Sequence, residues 1–127
     1  MVELVRHPNM GICVDALHLS RSGGAPDSLR KVDPGLLCYA QICDAPAAVP
    51  PASQIPIEAR CHRLYPGEGS LPLAALLDAL PPDIPLSLEA PDSRSAHLSA
   101  LQRAHAIARS TRRLLEAQGR RCSIQHP

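Results

Sequence analysis

A chain of 127 residues has room for one small domain and a modest core. Its 13 Lys and Arg against 12 Asp and Glu, interspersed, leave a net charge of +1, which excludes electrostatic capture of nucleic acid or of a membrane surface. The five cysteines form no CxxC pair, so the sequence predicts neither a disulfide framework nor a zinc-thiolate site and points to the reducing cytoplasm.

Residues 1–7 lack the apolar core of a signal peptide, although 2–5 read as the end of a helix. Gly11-Ile12-Cys13-Val14 is a short apolar run that ends in Asp15, with His18 close behind. Residues 17–24 are a polar, glycine-rich loop, and Pro26-Asp27 opens a short helix over 28–32. Asp33-Pro34-Gly35 turns the chain into a second run, 36–40, which leads into Gln41 and then Asp44. The proline-rich stretch 45–57 has no periodicity and reads as a long loop. Residues 71–80 form an apolar helix stopped by Pro81-Pro82, and the third run, 84–88, ends in Glu89. Asp92-Ser93 are expected to cap a final helix from about 95 to about 118. Its apolar stripe is Leu98, Leu101, Ala104, Ala108 and Leu115, with Ile107 and Leu114 beside it. Residues 119–127 read as a frayed tail.

Strands that alternate with helices in this way predict a parallel sheet with right-handed crossovers. Parallel strands are normally buried on both faces, and three strands with these helices do not achieve that. The chain therefore reads as one domain, 1–127, that is part of a larger α/β unit.

Each apolar run ends in a polar side chain, and in α/β proteins the carboxyl ends of parallel strands are where sites are built. Asp15 alone also reads as a helix cap, Glu89 as a strand-edge carboxylate, and Gln41 as a group that satisfies backbone. Together they are hard oxygen donors suited to magnesium, manganese or a similar divalent ion. Such an ion polarises a carbonyl and its neighbouring hydroxyl, and His18 is then the candidate acid or base. In Arg60-Cys61-His62-Arg63-Leu64-Tyr65-Pro66-Gly67-Glu68-Gly69 the glycines shape a tight turn, and the planar fork of Arg63 suits a carboxylate, phosphate or polyol oxygen. His7, His97, His105 and His126 have no matching partners in sequence and read as surface residues.

At these motifs the chain resembles the C-terminal part of the xylose isomerase-like TIM barrel superfamily, the sugar phosphate isomerases and epimerases. The segments that carry the resemblance are Val14-Asp15-Ala16-Leu17-His18, Arg21-Ser22-Gly23-Gly24, Gln41-Ile42-Cys43-Asp44-Ala45, Arg63-Leu64-Tyr65-Pro66-Gly67-Glu68-Gly69 and Ser87-Leu88-Glu89. The resemblance implies an α/β fold, a partial TIM barrel comprising the last three βα units and a long C-terminal helix. It implies Asp15, Gln41 and Glu89 as ligands of Mg, Mn or Co. It further implies His18 and Glu89 as catalytic groups, and His18 and Arg63 as contacts to a small sugar or cyclic hydroxy-ketone. The Gln41 position is histidine in the sugar epimerases, and glutamine there is similar to the 3-dehydroshikimate dehydratases, which makes a lyase the second reading. A fourth glutamate ligand of the family has no counterpart before Asp15. Two expectations follow: a non-catalytic or truncated remnant, or a chain that completes its sheet with another copy or with a missing N-terminal barrel segment.

Overall fold

The computed structural model describes residues 7–120. The expected helix end at 2–5, His126 and most of the expected tail lie outside the described residues. Strand β1 (Ile12–Asp15) leads directly into helix α1 (Ala16–Arg21), and two 3₁₀ turns, Pro26–Lys31 and Pro34–Leu36, follow. Strand β2 (Leu37–Ile42) is separated from β3 (Leu86–Leu88) by a 3₁₀ turn (Ala52–Gln54) and two helices, α2 (Ile55–Cys61) and α3 (Leu73–Ala79). A further 3₁₀ turn (Ser93–Ser95) precedes the long helix α4 (Ala100–Ala117). The strands form one parallel sheet in the order β1-β2-β3, with the second strand between the other two, as the βα rhythm predicts.

Register fixes what each face carries. Val14 is level with Ala40 and Leu86, whereas Asp15 is level with Gln41 and Ser87. A slip between Ile12 and Cys13 realigns the first strand, so that Cys13 lies beside Tyr39. Because side chains alternate across a sheet, Val14, Ala40 and Ile42 pack to one side, where Leu17, Leu73, Leu76, Leu77 and Leu115 cover them. The other side carries Cys13, Tyr39, Gln41, Ser87 and Glu89, and no helix among the described residues covers it: Tyr39 is 41% exposed. The single-sided sheet is what the sequence anticipated.

The short helix expected over 28–32 is a 3₁₀ helix, Pro26–Lys31. Two local expectations are corrected. The 45–57 loop ends in α2, whose buried residue is Glu58 while Ile57 stays 53% exposed, so it shows no apolar period. Asp92 caps only the 3₁₀ turn Ser93–Ser95, and the long helix starts later at Ser99. There Ser99 and Gln102 form a reciprocal capping box, which satisfies two backbone donors at once and so sets the start. The stripe shifts accordingly: Leu101 (67% exposed) and Ala104 face solvent, while Thr111 and Leu115 are buried. Within the expected tail, the Arg120 guanidinium donates to the Leu77 carbonyl. No described helix is long and apolar enough to cross a membrane.

Candidate functional site

Asp15 closes β1 and at once caps α1, with Oδ1 accepting the His18 amide at 2.8 Å. The cap and the site reading of Asp15 thus describe one residue doing both. Its other oxygen, Oδ2, accepts from Arg63 Nη1 at 2.6 Å, and both side chains are almost wholly buried, 7% and 4% exposed. Arg63 Nε donates to the Ala59 carbonyl at 2.8 Å, and Nη1 also reaches Cys43 Sγ (3.5 Å) and the Glu89 carbonyl (3.4 Å). One guanidinium therefore ties together the ends of β1 and β3 and the residue after β2. Burial pulls the Arg63 pKa down, but the hydrogen bond to Asp15 and the charge of the neighbouring groups leave it above the ordinary arginine value.

Arg63 was expected to face a substrate. Its fork is instead turned onto Asp15, and Nη2 points toward His18 Nε2, 3.4 Å away. The exposed imidazole of His18 lies between that guanidinium and solvent. Gln41 is half-buried on the uncovered face, where its Oε1 accepts from Cys13 Sγ at 3.5 Å. Tyr39 sits beside the same thiol, whose hydrogen bond holds the phenol above its ordinary pKa. Glu89, half-buried, occupies the same face one step beyond Ser87.

Asp44 behaves differently from its sequence neighbour Gln41. It is 2% exposed, and its carboxylate accepts four backbone N–H groups: Ala45 (2.8 Å) and Leu71 (2.9 Å) on Oδ1, Gly67 (3.0 Å) and Gly69 (2.9 Å) on Oδ2. The Pro66-Gly67-Glu68-Gly69 turn is thus wrapped around a carboxylate at the end of β2. Gly69 permits this, because a Cβ there would lie 2.4 Å from the Ala45 carbonyl oxygen. The sequence reading did not find this role, and no local signal separates such a carboxylate from a ligand. His62 Nδ1 pairs with Ser93 Oγ at 2.9 Å, Arg60 is exposed, and His7, His97 and His105 are exposed as expected.

Cys43, behind Arg63, is wholly buried, and desolvation pushes its thiol up from 9.0 to about 11. Attack on an alkylating agent needs the thiolate. Iodoacetamide at neutral pH is therefore expected to label the exposed Cys13, Cys38 and Cys61 and to spare Cys43 until the chain is denatured, as peptide mass spectrometry will show. A raised thiol pKa means that the folded state keeps a proton the unfolded state loses. Stability should accordingly fall as pH rises from 9.0 toward about 11, less steeply in Cys43→Ala.

Among the described residues no three His, Cys, Asp or Glu side chains converge, and both oxygens of Asp15 are engaged, by the His18 amide and by Arg63.

No family model and no curated protein matches the sequence. Solved structures do. Over 97% of its length the chain is similar to the IOLI protein with a bound zinc atom, at 23% identity and a TM-score of 0.72. It is also similar to a xylose isomerase-like TIM barrel/4-hydroxyphenylpyruvate dioxygenase fusion protein (23% identity, 96% of this chain, TM-score 0.61). A xylose isomerase domain protein from Alicyclobacillus acidocaldarius is similar too (24% identity, 93% of this chain, TM-score 0.61). The chain spans 42%, 21% and 41% of those three chains. Its fold is that of part of a xylose isomerase-like TIM barrel.

Proposed function

We propose that this chain carries part of the active site of a cytoplasmic, metal-dependent sugar or sugar phosphate isomerase or epimerase. The observation that supports this most directly is the shared level of Asp15 and Gln41 near the ends of β1 and β2, with Glu89 just beyond β3. In this reading Asp15, Gln41 and Glu89 hold the ion. When bound, it supplies Lewis acidity beside a substrate carbonyl. His18 exchanges the proton on the neighbouring carbon or hydroxyl, and Glu89 takes a second share of the acid–base work. Arg63 holds the Asp15 carboxylate in place. The bound zinc of the IOLI protein speaks for a divalent ion in this fold, while an amide and two carboxylates favour a harder ion such as Mg, Mn or Co.

Gln41 in place of a histidine favours a second reading, dehydration of a cyclic hydroxy-ketone acid by the same groups. The commitment of Asp15 to Arg63 favours a third, a remnant that keeps the residues without the activity. The uncovered face and the outer edges of β1 and β3 are where a second copy or another βα segment pairs. With one ligand short, the chain alone should bind metal weakly and turn over near background.

Titration with Mn²⁺, with solution mass measured by light scattering, tests the assignment. Binding that is lost in Glu89→Gln and Gln41→Leu, by a species larger than the monomer, is the expected result. Mn²⁺ affinity unchanged in Glu89→Gln removes the metal site. A cleanly monomeric, cooperatively unfolding species removes the pairing of the edges.

A further inference from the structure

The function above uses Asp15 and Arg63 and leaves a second buried ion pair without a role. Arg21, the last residue of α1, has its side chain 4% exposed and grips Glu58 of α2 with two hydrogen bonds, Nε to Oε2 and Nη2 to Oε1, both 2.8 Å. Its Nη2 also donates to the Pro46 carbonyl at 2.9 Å, at the start of the excursion that ends in α2. Glu58 is 9% exposed in its side chain. The two pairs join the same two elements in opposite sense. Asp15 and Arg21 bracket α1, Glu58 lies in the middle of α2, and Arg63 follows the end of that helix by two residues. The Ala59 carbonyl that receives Arg63 Nε is the residue after Glu58.

We infer that Arg21 and Glu58 are positioning residues that set the guanidinium of Arg63 over the strand ends by locking α2 to α1. The links form a closed ring: Asp15 to α1 to Arg21, across to Glu58, along α2 to Ala59, and back through Arg63 to Asp15. Opening either pair frees α2 to move relative to α1, so that Arg63 loses its aim. The relevance of this ring to catalysis rests on the reading of Asp15 as a ligand, but its mechanics do not.

The test uses the whole ¹⁵N-labelled chain and follows the Nε–H protons of Arg21 and Arg63 by NMR. In Glu58→Gln the Arg63 Nε–H is expected to exchange about tenfold faster, equivalent to 1.4 kcal/mol of lost protection, with partial recovery in Glu58→Asp. A folded Glu58→Gln chain whose Arg63 signal keeps its shift and exchange rate would overturn the inference. Should that variant not fold, Arg21→Lys keeps the charge but not the two-pronged grip and is read by the same Arg63 signal. Mn²⁺ affinity measured in parallel separates the two ideas. A moved Arg63 signal in a chain that binds no Mn²⁺ leaves the ring standing and removes the metal reading.

Discussion

Arg63→Ala is expected to destabilise the chain by about 3–5 kcal/mol, a large part of the roughly 5–15 kcal/mol that holds a domain folded. The reason is the company that the guanidinium keeps. Its loss strands the Asp15 carboxylate, 8% exposed, with the His18 amide as its one remaining hydrogen-bond donor among the described residues. The Ala59 carbonyl and Cys43 thiol lose their partner at the same time. Urea unfolding followed by circular dichroism measures the effect. Arg63→Lys keeps the charge but cannot reach Ala59 and Asp15 together, so it should fall between wild type and alanine. The double variant Asp15→Asn/Arg63→Gln should cost less than the two single changes added, since no buried charge is left alone. Equal and additive losses would mean that the pair contributes no coupling and that Arg63 acts through packing alone.

Asp44→Ala is the second large effect. Four backbone donors lose their acceptor together, and an unsatisfied buried donor costs about 1–3 kcal/mol. Gly67 and Gly69 are exposed and water can reach them, so the total should be about 2–4 kcal/mol and not the full sum. Hydrogen exchange locates it. The amides of Gly67, Gly69 and Leu71 should lose protection while those of β2 keep theirs. Asp44→Asn retains one acceptor oxygen and should lose about half as much. Gly69→Ala should reproduce the pattern from the other side, because its methyl would meet the Ala45 carbonyl and the Asp44 carboxylate. Protection unchanged in Asp44→Ala would show that the turn is held by its own backbone.

Both predictions concern residues whose importance was only half visible in the chain. Asp15 and Arg63 stood out because each sits beside a motif, yet nothing in their spacing said that they face each other. Asp44 was read as a flanking oxygen, whereas it organises the turn that Arg63 introduces. Glu58 lay just past the stretch 45–57 that reads as a loop, in a helix that starts within that stretch. A helix is recognised by its apolar stripe, and α2 buries a carboxylate where a leucine would have revealed it.

The sequence by itself determined the strands, their parallel order and the polar residue at or next to the end of each. Those are local properties: an apolar run, a turn that ends it, and a connection long enough to cross over. It also determined that one sheet face stays bare among the described residues, since too few apolar surfaces exist to cover both. Only the tertiary structure decided the partner of each polar group. Arg63 meets Asp15 across 48 residues and Arg21 meets Glu58 across 37, and a charge carries no mark of which opposite charge it will meet. The start of α4 was decided locally but by competition, with the Ser99–Gln102 box prevailing over Asp92 because two satisfied donors outweigh one.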